Sequence, residues 1–325
     1  MFCARVRVLC STSKFWSLGR KQPAREFTIA IDGPAASGKS STARAVAKEL
    51  GFGYIDSGSI YRCATLLALR QGIAADKIDE HISELASLIS EASMEIRIQK
   101  DAGRHTIGLA AAAGRLVVPG VQVLLNSEDV SKEIRTPEVN RLVAKVASDR
   151  SVREAVLHMQ RALAAAAESS STTIRQKGKD IKVPGGVVMD GRDIGTTVFP
   201  TAELKIYLDA SPMARAIRRW DELSNQVKDA AKAKRLSNSR NTGGAGDGQS
   251  TKPAVTVQAD YPSVEDIARE LEQRDYQDIN REHSPLRIAS DAVVIDNTNL
   301  TFEQQVYSIA DLARERMGLE RKHDD

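Results

Sequence analysis

The sequence predicts an α/β fold: a five-stranded parallel sheet with helices on both faces. Three observations carry that reading. Five short apolar runs recur along the chain, and their length and β-branched content suit strands buried on both faces. Stretches with helical spacing separate them, so the strands are joined by crossovers and run parallel. A glycine-rich segment, Gly33–Ser40, lies between the first strand and the first helix.

In chain order, Phe27–Ile31 is the first strand, and Ser40–Leu50 has helical spacing and stops at Gly51, a natural helix end. Gly53–Asp56 is the second strand, followed by a helix from Ser59 to about Arg70. The middle of the chain changes character. Residues 77–92 read as helix, Met94–Ile98 alternates like a half-exposed strand, and Val121–Leu125 is a further strand. This stretch is expected to form a small α/β insertion. Helices follow at about 138–148 and 152–167. The rhythm then returns with strands Gly186–Met189, Leu204–Leu208 and Ala292–Ile295, and helices at about 211–223, 263–281 and 301–317. Residues 168–185 and 224–258 break the pattern and are expected to be mobile surface loops; the second contains Asn241–Gly248, a low-complexity run.

With 325 residues, 42% hydrophobic and 27% charged, the chain has ordinary globular composition, and no run of 18 apolar residues occurs. Residues 1–25 carry six basic groups (Arg5, Arg7, Lys14, Arg20, Lys21, Arg25) and no acid. Taking those six from the net +3 leaves the remainder three units negative, which argues against nucleic acid as a partner. The arm over 1–26 resembles an organellar transit peptide, so mitochondrial localisation is expected, with a cytoplasmic protein as the alternative. It is excluded from the fold, as is a tail over 318–325. Three cysteines, two of them in the arm, argue against a disulfide scaffold. The five histidines show no pairing pattern. No membrane partner is expected, and the protein is expected to be monomeric.

Gly33-Pro34-Ala35-Ala36-Ser37-Gly38-Lys39-Ser40 fits G-x-x-x-x-G-K-[ST] in the strand–loop–helix context that the motif requires. Glycines let backbone N–H groups converge on phosphate oxygens, and the helix N-terminus adds partial positive charge. Lys39 is placed to reach the β- and γ-phosphates of a nucleotide. Ser40 offers its hydroxyl to Mg²⁺, and Asp190, at the end of a strand, completes the metal site. Ser41 continues the same turn. A guanine-reading Asn-Lys-x-Asp is missing, since the last strand runs into Asp296-Asn297-Thr298-Asn299. Two arginines, Arg62 and Arg192, stand where strands end, at the edge where α/β sheets bind ligands. Fixed guanidinium groups there offset the repulsion between two polyanions brought together for phosphoryl transfer.

The segments GPAASGKSS, DSGSIYR, EDVSKEIRTPEV, VREAVLHMQR, VVMDGRDIGTTVFP, KIYLDAS and RDYQDINR occur in this order. Together they resemble the bacterial-type cytidylate kinases, over residues 27–317 apart from the two insertions. DGRDIGTTVFP and RDYQDINR are the specific ones; the phosphate loop is widely shared. The resemblance implies a P-loop nucleoside monophosphate kinase fold with an acceptor-binding insertion at about 59–135 and a lid. It implies phosphoryl transfer from ATP-Mg²⁺ to CMP or dCMP. Lys39, Asp190 and Arg192 would be catalytic, Arg62 and Arg192 would hold the acceptor phosphate, and Ser57, Arg153, Asp193 and Arg281 would surround the cytosine. Arg274 and Asp278 would reach the sugar, and one or more of Arg215, Arg218 and Arg219 would cover the ATP. Cytosine's amine needs an acceptor such as Asp193, and its O2 and N3 need donors. The family usually has a serine against the base where this chain has Ala144. A kinase of another nucleotide such as UMP, and a nucleotide-binding module without turnover, remain the alternatives.

Overall fold

The computed structural model describes residues 8–9, 27–73, 77–98, 121–167, 172–176, 179–183, 185–225 and 262–320. Its central sheet has five strands in the order β11-β10-β2-β9-β3, every neighbouring pair parallel. These strands are β2 (Phe27–Asp32), β3 (Gly53–Asp56), β9 (Gly186–Gly191), β10 (Leu204–Asp209) and β11 (Val293–Asp296).

Branched and small apolar residues fill the middle strands: Ile29, Ala30, Ile31, Val188 and Met189 are fully buried. Each large side chain hidden in this way contributes about 1.5–3 kcal/mol before entropy is counted. β11 differs, because it is an edge strand whose exposure alternates, and Val294 is 54% exposed. One face of the sheet packs Ile29, Ile31, Tyr54 and Val188 against α1 (Lys39–Leu50) and α8 (Phe302–Arg316). The other buries Ala30, Ile55, Val187 and Met189 with residues of α2 (Ser57–Arg70), α3 (Ile82–Glu91) and α5 (Arg150–Ala166). α4 (Pro137–Val146), a helix α6 over 212–225 and α7 (Val264–Asn280) complete the helices that bear on the site.

Between α2 and α4 the chain builds a second, antiparallel sheet from β4 (Ser93–Ile98), β5 (Val121–Leu125) and the short β6 (Glu128–Asp129). Its fourth strand is β1 (Val8–Leu9), which pairs antiparallel with Met94 and Ser93. Excluding the whole arm from the fold is thereby corrected. Residues 168–185, expected to be a loop, contain an antiparallel hairpin of β7 (Thr172–Gln176) and β8 (Lys179–Val183). The β-branched Thr172, Thr173, Ile174, Ile181 and Val183 favour strands, and the surrounding lysines and serines hid that preference. The low-complexity run lies outside the described residues. No helix among the described residues is long and apolar enough to cross a membrane.

Candidate active site

β2 and β9 lie side by side, so the loops that leave them emerge together at one edge of the sheet. The first is the phosphate loop. Gly33 passes so close to β10 that a Cβ on it would lie 2.1 Å from the Leu208 carbonyl oxygen. Gly38 has φ 85° and starts α1, so the following N–H groups open into the loop. Ser37 and Lys39 are buried, while Ala36, Ser40 and Ser41 are partly open. The Lys39 ammonium donates to the Pro34 carbonyl oxygen at 2.5 Å. Burial first, and repulsion from Arg192 next, hold its pKa well below the usual lysine range.

Side chains from distant elements brace this loop. Asp275 on α7 accepts from Ala35 N–H at 2.8 Å. Arg215 on α6 donates to the Ala35 carbonyl at 3.1 Å and to that of Ala210 at 3.0 Å, and it forms a buried ion pair with Asp275. The Arg215 guanidinium is thus buried behind the loop, on three protein acceptors. Asn297 donates to the Ser37 carbonyl at 2.9 Å and accepts from Arg218 at 2.8 Å. Arg218 and Arg219 are half-buried; Arg219 pairs at 3.0 Å with Glu222 and is close enough to Arg62 for their charges to repel.

Asp190 ends the β9 run between two donors, the Ser40 hydroxyl at 2.6 Å and the Tyr54 hydroxyl at 2.7 Å. Burial, and then the charge of Asp56, raise its carboxyl to about 6, against the opposing effect of those two bonds. Among the described residues no cluster of three or more metal-ligating His, Cys, Asp or Glu side chains occurs. A hydroxyl and one carboxylate suit a hard cation that takes its other ligands from phosphates and water, as Mg²⁺ does.

The second loop carries Arg192 and faces arginines from α2, α5 and α7. Arg192 donates to Asp278 on α7 at 2.7 Å. Arg62 on α2 donates to the Ile134 carbonyl at 3.2 Å and to Asn140 on α4. Arg274, one turn before Asp278, forms no hydrogen bond or ion pair with another described residue. Desolvation by the surrounding protein and repulsion from Arg192 lower its pKa to about 10, so it stays charged at neutral pH. Beside this group lies a cavity of about 330 Å³ whose lining includes Tyr61, Arg153, Leu157, Gln160, Asp193 and Thr197. Arg153 and Asp193 form a buried ion pair there, with Arg153 also donating to the Ala147 carbonyl at 2.9 Å and standing 5.3 Å from the Tyr61 ring centroid. The buried Arg153 Nε has no acceptor. Arg281 approaches Asp193 at 3.8 Å and Asp278 at 3.6 Å. Ser57 accepts from the buried Gln160 amide at 2.8 Å.

Most of the expected residues therefore converge on one edge of the sheet. Ala144 is exposed on α4, one turn from Asn140 and so on its face. Five contributors escaped sequence reasoning: Asp32, Tyr54, Gln160, Asp275 and Asn297. Asp32 alone left a signal, a carboxylate ending an apolar strand directly before the loop.

A phosphate loop facing a group of arginines, beside an open cleft lined by Arg153 and Asp193, defines a nucleoside monophosphate kinase. The family model described as cytidylate kinase matches residues 29–170, 166–241 and 253–315. The chain belongs to the cytidylate kinase family. It is 37% identical over 288 residues to the cytidylate kinase of Chlorobaculum tepidum, covering 89% of this chain and 93% of that protein. It is 36% identical over 293 residues to the cytidylate kinase of Bacillus cytotoxicus, covering 90% and 98%.

Proposed function

We propose that this protein transfers the γ-phosphoryl group of ATP to CMP or dCMP, yielding ADP and CDP or dCDP. The observation that carries the reading is the Arg153–Asp193 pair, buried together at the cavity. It offers a carboxylate and a guanidinium side by side. Cytosine complements that pair with an exocyclic amine and a carbonyl; uracil would set a carbonyl against Asp193.

Each step follows from groups already placed. The Gly33–Ser40 backbone and Lys39 bind the phosphates of ATP, with Asp275, Arg215 and Asn297 holding the loop in shape. Arg62 and Arg192 hold the acceptor phosphate and offset its charge, and Arg274 reaches the sugar beside Asp278. An acceptor phosphate oxygen attacks the γ-phosphorus, that P–O bond forms, and the bond to the β,γ-bridging oxygen breaks, leaving ADP. A phosphate oxygen needs no strong base at neutral pH, so positioning and charge compensation carry the catalysis. Lys39 follows the transferring group. Ser40 and Asp190 would hold Mg²⁺, which when bound supplies charge neutralisation on the β- and γ-oxygens.

Ser57 and Arg281 add polar contacts around the base, and Asp278 both orients Arg192 and reaches toward the sugar. One or more of the α6 arginines Arg215, Arg218 and Arg219 cover ATP. The region 59–135 is read as the acceptor-binding insertion and 224–258 as part of the lid. The Arg-rich, acid-free composition of residues 1–25 supports a mitochondrial address, and fusing them to a fluorescent protein tests it: a diffuse signal counts against import.

The decisive experiment is a coupled assay of ADP release with CMP, dCMP, UMP and AMP. Turnover with CMP or dCMP well above the others is expected. Equal or better turnover with UMP or AMP would overturn the base assignment, and binding without turnover would favour a non-catalytic module.

A further inference from the structure

β2 ends in Asp32, the residue directly before the phosphate loop. One of its carboxylate oxygens accepts from Ile194 N–H at 2.8 Å and the other from Gly195 N–H at 2.7 Å. Those two amides begin the short turn Ile194–Val198 that follows Arg192 and Asp193. The first N–H groups of any helical turn lack acceptors within it. Here the later ones, of Thr197 and Val198, reach the Asp193 carbonyl at 2.9 and 3.1 Å. The first two are taken by a residue 162 and 163 positions away in sequence.

Asp32 is an expensive choice for packing alone. It is 5% exposed, forms no ion pair with another described residue, and feels repulsion from Asp193 that Lys39 only partly offsets. Burying a carboxylate without a cation on it costs several times what a neutral amide of the same shape costs. Its distinguishing ability is to accept on both oxygens at once, which asparagine cannot do. The geometry supports that use. Asp32 and Gly191 are register partners on the adjacent strands β2 and β9, so this carboxylate joins two loops at their roots.

We propose that Asp32 is a positioning residue that fixes the acceptor-binding turn against the phosphate loop, and so sets the span across which the phosphoryl group moves. This rests on the reading that Gly33–Ser40 hold ATP while Arg192 and Asp193 hold the acceptor. Asp32 touches neither nucleotide. It acts by keeping the two binding loops in one frame. Reacting atoms must come within about 3–3.5 Å, and a misplacement of about 1 Å can cost on the order of 10²-fold in rate.

The test is Asp32→Asn, whose amide would turn an N–H donor toward one of the two backbone donors. Turnover at saturating ATP and CMP is expected to fall about 30- to 100-fold. The dissociation constants for a non-hydrolysable ATP analogue and for CMP, each measured alone, are expected to stay within about 3-fold, because the contacts to each nucleotide survive. A purely structural role predicts the opposite pattern, a lower melting temperature with wild-type kcat in the folded fraction, and would overturn the proposal. Gly195→Ala approaches the same bond from its other side, since the added Cβ would stand 3.4 Å from the Asp32 Oδ2 and 3.2 Å from Lys205 Cδ. It is expected to lose about 3- to 10-fold in kcat, and the double variant no more than Asp32→Asn alone. If Asp32→Asn does not fold, wild-type kcat in Gly195→Ala overturns the proposal. A wild-type enzyme inert toward every nucleoside monophosphate would instead overturn the functional reading, and that result needs no variant.

Discussion

The Ser40 hydroxyl donates to Asp190 across 2.6 Å, joining the first turn of α1 to the end of β9. Tyr54 holds the second oxygen of the same carboxylate at 2.7 Å, so its orientation is fixed before any ligand arrives. With Mg²⁺ at this pair, chelation by EDTA should abolish turnover. Asp190→Asn should raise the Mg²⁺ concentration for half-maximal activity about 10- to 100-fold. A Mg²⁺ titration of both proteins checks this, and superimposable curves would remove Asp190 from the metal site.

Lys39 donates to the Pro34 carbonyl at 2.5 Å, inside the loop that it serves. Lys39→Ala removes charge that matters most when the phosphoryl group is in flight, so kcat should fall at least about 10²-fold. Steady-state kinetics at saturating substrates measure the loss. Turnover near the wild-type value would rule out the mechanism.

Ala144 shares a face of α4 with Asn140, the acceptor for Arg62, and one turn later the Ala147 carbonyl accepts from Arg153. The family likeness expects a hydroxyl at this position to meet the base. One neutral hydrogen bond is worth about 0.5–1.5 kcal/mol. Ala144→Ser should therefore raise the preference for CMP over UMP about 2- to 12-fold in kcat/KM. Unchanged or reduced selectivity would show that α4 does not bring this position to the base.

Burial raises the Asp32 carboxyl to about 6, with Asp193 adding repulsion against the favourable backbone bonds. An unfolded chain releases that proton near about pH 4. Between these values the folded protein keeps a proton that the unfolded chain has lost, so rising pH works against folding. The effect is absent below about pH 4 and reaches about 3 kcal/mol above about pH 6. Urea unfolding of wild type and Asp32→Asn from pH 4 to 8 isolates it. Wild type should lose ground relative to the variant up to about pH 6 and then run parallel to it. A constant difference would mean that Asp32 titrates normally.

The phosphate loop and the apolar strands were readable because each is local. Gly33–Ser40 is a contiguous motif, and Ile29, Ile31 and Val188 sit in runs that only a doubly covered strand explains. What stayed hidden depends on distance in sequence. Asp275 meets Ala35 across 240 positions and Asn297 meets Ser37 across 260, and no spacing rule registers such pairs. Arg215 shows the same limit: no spacing rule pairs it with Asp275, 60 positions on, with which it shares a buried ion pair. Arg153 and Asp193 came from family likeness, and their burial as a pair could not have been read from either segment alone.

In the β2–β9 register, Ile31 stands beside Asp190 and Asp32 beside Gly191. Side chains alternate between faces along a strand, so the two carboxylates leave the sheet on opposite sides. Asp190 is on the side of Tyr54 and α1; Asp32 is on the side of Ile194 and the acceptor turn. Lys39 lies within electrostatic reach of both. The two carboxylates therefore serve the sheet edge as separate fastenings, one for the first turn of α1 and one for the turn that begins at Ile194.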